Sequence, residues 1–263
     1  MLSLIDKHVV ITGASSGLGK EIAIEVAKRG GIPIMLARSE DKLIELQGII
    51  QEKFGVTAYT YMLNVTEMEA VQDVFSLIIS VHGHIDILVN NAGMAIFDEF
   101  SEAALADMKN MIDVNVVGLL ACTRAVLPSM IARNKGHIIN IASQAGKIGT
   151  PKSSVYAATK HAVLGFTNSL RMEMHRYEIE VSAVNPGPIK TPFFDLADQS
   201  GSYVKNVENM MLDPQKVAGK IVNMIEKPRR ELNLPWWMNI ASRMYQIMPS
   251  VVEKIGGKKF YQK

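Results

Sequence analysis

Tyr156 and Lys160 are the pair in this sequence with the clearest capacity for proton transfer. Residues at i and i+4 lie on one face of a helix, and of the seven tyrosines only Tyr156 has a lysine at this spacing. A free tyrosine has a pKa of about 10, and a neighbouring ammonium favours the phenolate and lowers that pKa. Ser143 stands thirteen residues earlier and can bond the same oxygen. The pattern predicts general acid–base chemistry at a carbonyl group; an ordinary exposed Tyr–Lys pair is the alternative.

A glycine-rich segment predicts a dinucleotide site. Thr12 to Gly19 reads TGASSGLG and stands between a continuous apolar run and a helical pattern. Glycines let backbone amides approach a diphosphate, and the following helix presents its N-terminus to the anion. A turn that needs glycine only for its own geometry is the alternative. The residues assigned to the cofactor here are Gly13, Ser15, Ser16, Gly17, Leu18 and Gly19.

Residues at the ends of the next strands predict how the rest of a dinucleotide is bound. Where an NAD site has a carboxylate for the ribose, this chain has Arg38 and Ser39. Arg38 can pair with a 2′-phosphate, which predicts NADP(H); a solvated loop arginine is the alternative. Asn64, followed by Val65, can accept a hydrogen bond from the adenine amino group. The next strand is followed by Asn91, Ala92 and Gly93, which we also assign to the cofactor; adjacent asparagines that only cap a turn are the alternative.

The elements that position these residues alternate between short apolar runs and helical patterns. Continuous apolar strands indicate a parallel sheet covered on both faces, and ligands of such sheets bind at the carboxyl ends of the strands. The predicted strands are His8–Thr12, Ile32–Ala37, Thr57–Leu63, Ile85–Val89, His137–Ala142, Glu180–Asn185 and Glu231–Leu234. The predicted helices are Gly17–Arg29, Asp41–Phe54, Glu67–Val81, Leu105–Ala132, Ser154–Tyr177 and Pro214–Glu226.

Composition and charge exclude several function classes. The 263 residues carry a net charge of +2, without the basic excess of a nucleic-acid binder. Cys122 is the only cysteine, so intrachain disulfides and CxxC metal sites are excluded, and the histidines lack zinc-site spacing. No uninterrupted apolar run reaches the about 18 residues of a membrane span, and Asp6 and Lys7 precede any secretory apolar core. We expect a cytoplasmic protein that acts on a small molecule, without metal or nucleic acid.

The motifs in their order resemble the short-chain dehydrogenase/reductase family. They are GASSGLG, NNAG, a serine thirteen residues before YxxxK, and Pro186-Gly187, and the resemblance covers about residues 5–235. It implies a single-domain Rossmann fold of α/β class, a doubly wound parallel seven-stranded sheet with helices on both faces. Residues 1–235 would be the catalytic domain and residues 236–263 an amphipathic helical extension of it.

The resemblance also implies roles for individual residues. Tyr156 would be the general acid/base, Lys160 would lower its pKa and bond the nicotinamide ribose, and Ser143 would position the carbonyl. Asn115 would complete the catalytic set through a water-linked proton relay. The residues that would hold the nicotinamide end of the cofactor are Pro186, Gly187, Ile189 and Thr191.

The implied activity is NADP(H)-dependent hydride transfer between the nicotinamide and a ketone, aldehyde or secondary alcohol, in a homodimer or homotetramer. A 3-oxoacyl-thioester reductase and a non-catalytic NADP-sensing protein are the alternatives. The segment from Ser154 to Glu173 resembles the hydroxysteroid-dehydrogenase-like and ketosphinganine-reductase-like branch, which implies a lipophilic substrate. We assign Gln144, Phe193 and Phe194 to that substrate, with the two phenylalanines in a lid between Pro188 and Leu212; an ordinary surface loop whose two phenylalanines pack on the core is the alternative.

The last segment of the chain carries an amphipathic pattern. Its apolar residues, spaced as one helix stripe, are Trp237, Ile240, Ala241, Met244, Tyr245 and Met248. From Arg230 onward six basic residues stand against two acidic ones. Packing of the stripe on the core beside the substrate cleft is the simplest interpretation. A dimer contact and a weak peripheral membrane contact remain open.

Overall fold

Seven parallel strands form one sheet in the order β3-β2-β1-β4-β5-β6-β7. The computed structural model describes residues 3–198 and 201–254. The strands are β1 His8–Thr12, β2 Ile32–Ala37, β3 Tyr59–Met62, β4 Ile87–Asn90, β5 Gly136–Ile141, β6 Ile179–Pro186 and β7 Glu231–Leu234. The order reverses between β1 and β4, so the ligand-binding crevice of such a fold lies at their carboxyl ends.

Helices cover both faces of the sheet because alternate residues of each buried strand point to opposite sides. The helices are α1 Gly17–Lys28, α2 Glu40–Phe54, α3 Met68–His82, α4 Leu105–Ile112, α5 Leu119–Arg133, α6 Ser154–Met174, α7 Phe193–Ala197, α8 Ser202–Val207, α9 Pro214–Glu226 and α10 Trp236–Ile247. Val9 and Ile11 pack in one apolar cluster with α1, α2 and α9, whereas Val10 packs in a second with α3, α5 and α6. The doubly wound α/β prediction is confirmed.

The long helix predicted over Leu105–Ala132 is interrupted. A π-helical turn, Asp113–Gly118, separates α4 from α5. By length and composition the whole stretch Leu105–Arg133 could cross a membrane. Charged residues interrupt its apolar sequence, so it contains no continuous apolar run of the length expected for a membrane span. Cys122, Val126 and Met130 are buried in the second apolar cluster. We therefore assign this stretch to the protein core.

The predicted C-terminal stripe forms a helix, but the packing predicted for it is wrong. Trp237, Ile240 and Met244 of α10 are exposed, and so are Ala241 and Met248. The sides turned to the protein are instead those of Met238, Asn239, Ser242 and Tyr245. Polar anchoring explains this orientation, because the Lys147 ammonium donates to Glu231 and Asn233 of β7 and to Asn239 of α10 at 3.0 Å. Residues 249–254 are helical again, and residues 255–263 of the predicted extension lie outside the described residues.

Candidate active site

The turn between β1 and α1 closes only with glycine at three positions. Gly13 and Gly17 have φ values of +65° and +53°, and a Cβ on Gly19 would lie 2.3 Å from the Gly13 carbonyl oxygen. Asn91 holds the turn from the neighbouring strand, since its Nδ2 donates to the carbonyls of Thr12 and Gly13 at 2.9 and 3.1 Å. The backbone thus presents a glycine cradle at the start of α1, which fits a diphosphate.

A cavity of about 830 Å³ extends from this turn along the carboxyl ends of the strands, a volume usual for a cofactor site. All the residues assigned from sequence line it except Gly19 and Asn115. Those lining it are Gly13, Ser15, Ser16, Gly17, Leu18, Arg38, Ser39, Asn64, Val65, Asn91, Ala92, Gly93, Ser143, Gln144, Tyr156, Lys160, Pro186, Gly187, Ile189, Thr191, Phe193 and Phe194. Gly19 instead allows α1 to pack tightly on the turn.

Tyr156 lies in the cleft wall with Ser143 and Lys160. Burial raises the pKa of Tyr156 to about 12, against the opposing effect of a hydrogen bond with Ser143. Lys160 is 5% exposed; its ammonium donates to the Ile141 carbonyl at 2.9 Å and lies 5.7 Å from the centre of the Tyr156 ring. Burial lowers the pKa of Lys160 to about 8. The prediction that Lys160 brings the pKa of Tyr156 below its ordinary value is wrong here, because burial raises this pKa and the effect that opposes burial is the hydrogen bond with Ser143.

Asn115 stands in the π-helical turn and is 1% exposed. Its side chain accepts from the Met94 backbone N–H and donates to the Met94 carbonyl, both at 2.8 Å, and also donates to Thr159 at 3.1 Å. These bonds join the segment after β4 to α6 at Thr159, the residue directly before Lys160. Asn115 therefore holds α6 in place, and its predicted part in a proton relay stays a prediction.

At the end of the cleft beside β2, Arg38 and Ser39 follow the strand and are exposed. None of the ion pairs among residues 3–198 and 201–254 uses Arg38. Asn64 is partly engaged already, since its Oδ1 accepts from Thr66 at 3.0 and 3.3 Å and its Nδ2 donates to Glu67 at 2.8 Å. The guanidinium of Arg38 is thus the clearest available group for a phosphate.

The segment after β6 closes over the glycine turn from the other side. The Gly187 N–H donates to the Leu234 carbonyl at 2.6 Å, and Ile189 forms a bridge with Leu212. A Cβ on Gly17 would lie 3.2 Å from the Cβ of Thr191. This proximity places Thr191 beside the glycine cradle, as its predicted cofactor contact requires.

Aromatic rings form the other end of the cleft around Tyr156. The ring centres of Phe97 and Phe193 lie 6.0 and 6.1 Å from that of Tyr156. Phe194 packs on Phe193 at 5.5 Å, and Tyr203 packs on Phe97 at 4.9 Å. Phe193 and Phe194 stand at the start of α7, so the predicted lid contains the short helices α7 and α8 rather than being only a loop.

Residues of this end that the sequence does not predict include Phe97, Tyr203 and Met238. Phe97 follows a strand end, a position that signals a cleft residue, whereas nothing in the local sequence marks Tyr203 or Met238. The predicted substrate residue Gln144 does line the cleft, but its side chain is only 3% exposed. Its amide nitrogen, Nε2, donates to the Asn185 carbonyl at 2.8 Å. Gln144 therefore supports the cleft wall in this structure.

A second cluster of titratable groups lies at the opposite, amino-terminal edge of the sheet. Ligand atoms of His8, His84 and Asp86 lie within 4.8 Å of one another. The Asp86 carboxylate is already engaged, because Lys7 and Arg133 approach it to 3.4 and 3.7 Å. These two cations oppose the binding of a metal ion, and the cluster is remote from the cleft.

Comparisons with known proteins agree with this geometry. A family model described as short chain dehydrogenase matches residues 7–200. An NADP-dependent 3-hydroxy acid dehydrogenase of Schizosaccharomyces pombe is 37% identical over 195 residues, covering 73% of this chain and 75% of the relative. A closed form of serine dehydrogenase complexed with NADP+ is 33% identical, with a TM-score of 0.80 over 86% of this chain and 94% of that one.

A short chain dehydrogenase/reductase from Burkholderia phymatum in complex with NAD has a TM-score of 0.87 over 95% of this chain and 96% of that chain. At 23% identity, this likeness shows the fold alone. The nucleotide-binding cleft, the family match and the more similar relatives lead to one conclusion. The chain belongs to the short-chain dehydrogenase/reductase family and is an oxidoreductase that uses a nicotinamide cofactor.

Proposed function

We propose that this protein transfers a hydride between NADP(H) and a lipophilic ketone or aldehyde, or the corresponding secondary alcohol. The observation that carries the proposal is the position of Ser143, Tyr156 and Lys160 on one wall of a cleft that has Arg38 at its far end. The glycine turn supports the cofactor assignment, since side chains at Gly13 or Gly19 would not fit.

The acid–base step follows from the state of Tyr156. Its raised pKa keeps the phenol protonated near neutral pH, which is the form that donates a proton to a carbonyl oxygen. When bound, the nicotinamide supplies the hydride that adds to the carbonyl carbon. Ser143 holds the carbonyl oxygen next to the phenol, and the Lys160 ammonium favours the phenolate left after transfer. The product is an alcohol, and oxidation runs through the same groups in reverse.

The first test removes the proton donor. Tyr156→Phe should abolish turnover and leave NADPH affinity within about twofold, because the acid is lost while the glycine cradle and Arg38 remain. Tyr177→Phe, a tyrosine outside the cleft, is the matched control and should keep full turnover. Wild-type turnover by Tyr156→Phe would refute the assigned mechanism.

The preference for NADP(H) rests on Arg38. A charge-assisted hydrogen bond contributes about 1.5–3 kcal/mol, so Arg38→Ala should weaken NADPH binding by about tenfold or more and change NADH binding little. Lys42→Ala removes an exposed positive charge nearby on α2 and serves as the control. Equal losses for both cofactors in Arg38→Ala would contradict the phosphate role.

The chemistry of the cleft supports a lipophilic substrate. Phe97, Phe193, Phe194 and Met238 line its substrate end. Within the described part of the chain, the lysines and arginines that line the cleft are Arg38 and Lys160, which the cofactor and the acid–base chemistry already use. Two relatives are named for hydroxy acids, the 3-hydroxy acid dehydrogenase and the serine dehydrogenase. A substrate of that kind would need a further cation in the cleft for its carboxylate.

A substrate panel separates the candidate activities. Hydrophobic ketones, aldehydes and ketosteroids should be reduced with NADPH at a kcat/KM about tenfold or more above that for serine or 3-hydroxybutyrate oxidation with NADP+, because the aromatic wall favours apolar groups. Preference for the hydroxy acids would refute the lipophilic assignment. Preference for a 3-oxoacyl thioester would favour a thioester reductase, and NADPH binding without turnover of any substrate would favour a cofactor sensor.

We also propose a homodimer or homotetramer assembled through the long helices that carry Asn115 and Tyr156. Exposed apolar side chains on these helices support this arrangement: Leu105 and Ile112 on α4, Leu120 on α5 and Met172 on α6. Burying such side chains between subunits is favourable. Sedimentation velocity of the wild type and of Ile112→Glu tests it, since a monomeric wild type would refute the proposal.

A further inference from the structure

The C-terminal helix presents an unusually apolar surface to solvent. Its large apolar side chains are between 42% and 79% exposed. We call this surface the tail face, and its members are Trp236, Trp237, Ile240, Met244, Ile247, Met248 and Val251. A contiguous exposed apolar surface of this kind indicates an interaction site rather than scattered surface residues.

The helix cannot bury the tail face by rotating, because its other side is held by polar contacts. Lys147 is 11% exposed and its ammonium donates to Glu231 at 2.6 Å and to Asn239 at 3.0 Å. Ser242, one turn after Asn239, is 1% exposed. Rotation of α10 would break the Lys147–Asn239 bond, leaving the ammonium only its β7 partners, and would turn Ser242 and Met238 out of their contacts with the protein. The tail face therefore stays available for an external partner.

We propose that the tail face binds the surface of a bilayer containing anionic lipid. Two adjacent tryptophans, Trp236 and Trp237, are the residue type that favours the membrane–water interface. Arg243 and Lys254 are exposed on the same segment, and Lys258, Lys259 and Lys263 follow in the sequence with no acidic residue after Glu253. The Glu253 carboxylate accepts a hydrogen bond from the Tyr245 hydroxyl. An apolar helix face with a basic surrounding fits anionic headgroups.

A second copy of this chain fits the tail face less well. A symmetric contact would bring the Arg243 and Lys254 side chains of both copies to one interface, where like charges repel. A standard interface also uses about 20–30 residues on each side, more than this single helix provides. The bilayer is the occupant whose charge complements the surface.

The tail face adjoins the mouth of the cleft. Met238, on the protein side of α10, lines the cleft, and its sulfur lies 2.9 Å from the position of a Cβ on Gly187. Leu196 lines the same cleft and is half exposed. A bilayer bound at the tail face would lie beside this opening. Membrane binding itself does not depend on the proposed substrate, so the two proposals can fail separately.

The tail face carries a built-in fluorescent reporter, because Trp236 and Trp237 are the only two tryptophans of the chain. The full-length protein with NADP+ should show a blue shift of tryptophan emission when vesicles of phosphatidylcholine with about 30% phosphatidylglycerol are added, as the indoles leave water. Co-sedimentation should give binding about tenfold weaker to pure phosphatidylcholine vesicles.

Matched variants localise the contact. Ile240→Gln combined with Ile247→Gln should weaken binding to the anionic vesicles by about tenfold or more, whereas Leu77→Gln with Val81→Gln, at similarly exposed positions on α3, should leave it unchanged. Arg243→Glu should weaken binding to anionic vesicles alone. NADPH affinity reports that each variant is folded.

Three results would overturn the proposal. The first is an absence of both blue shift and co-sedimentation, and the second is an equal loss of binding in the α3 control. The third is a concentration-dependent dimer of the wild type that is lost in the Ile240→Gln/Ile247→Gln variant, while neither the wild type nor this variant binds vesicles. That result would assign the tail face to a second copy of the chain.

Discussion

His137 should make this protein lose stability as the pH falls below neutrality. The side chain is 5% exposed on β5, and its Nε2 lies 2.9 Å from the Ser182 hydroxyl oxygen. Because the Ser182 hydroxyl donates its own proton to the Arg229 carbonyl at 2.7 Å, Nε2 must donate to Ser182. Nδ1 is buried and has no hydrogen-bond partner among the described residues. A second proton would therefore place a charge on a buried, unpaired nitrogen.

The size of the effect follows from the pKa. Burial lowers the pKa of His137 from 6.5 to about 3. Since the folded pKa lies below the unfolded value, the stabilisation is complete above about pH 6.5 and is lost as the pH falls toward about 3. Between pH 7 and pH 5 the linkage relation gives a loss of about 2 kcal/mol in the free energy of unfolding.

The assay is urea unfolding followed by circular dichroism at pH 7 and pH 5. His137→Gln should lose about 2 kcal/mol less between these two pH values than the wild type does. His82 and His84 also have pKa values lowered chiefly by burial, so part of the pH dependence should remain. His175→Gln replaces an exposed histidine and should behave as the wild type. An undiminished pH dependence in His137→Gln would refute the reasoning.

Three further predictions concern the cleft. Gly19→Ala should weaken NADPH binding about tenfold or more in a fluorescence titration, because the added Cβ would lie 2.3 Å from the Gly13 carbonyl oxygen. Gly48→Ala is the control, since the space around Gly48 is open. It should raise the free energy of unfolding by about 0.5–1 kcal/mol, measured by thermal unfolding. The rate of carbonyl reduction should fall above about pH 8 as Lys160 loses its charge, and Lys160→Arg should remove this inflection from the pH profile. Asn115→Ala should lower the free energy of unfolding by about 0.5–1.5 kcal/mol for each of the two part-buried hydrogen bonds with Met94 that it removes, measured by urea unfolding.

The cofactor half of the cleft is predictable from sequence because local geometry determines it. Parallel strands end at one edge, so the residues that follow them meet there. Arg38, Asn64 and Asn91 were assigned on this basis and all line the cleft. The finer role of Asn91 was not visible, since its amide supports the glycine turn through contacts with a strand 78 residues away. Spacing locates a residue at the site but does not say which neighbour its side chain contacts.

The electrostatics of Tyr156 shows a second limit. The sequence places Lys160 four residues away and so predicts a lowered pKa, but it gives no measure of burial. In the fold, Phe97 and Phe193 pack around the phenol, and burial outweighs the hydrogen bond with Ser143. Phe97 comes from a different segment than α6, which carries Tyr156. A pKa therefore depends on contacts distant in sequence, even where the Tyr156–Lys160 pair itself is local.

The C-terminal helix shows why periodicity alone does not determine which face is buried. The apolar stripe through Trp237, Ile240 and Met244 predicted the helix correctly, and apolar burial would have turned that stripe inward. The structure instead fixes the helix through Asn239, whose partner Lys147 lies 92 residues earlier. The same ammonium also has Glu231 and Asn233 as partners, so rotation of the helix would disrupt one shared polar cluster. An outward apolar face stabilised in this way is best explained by a partner outside the chain, which is the basis for proposing a bilayer there.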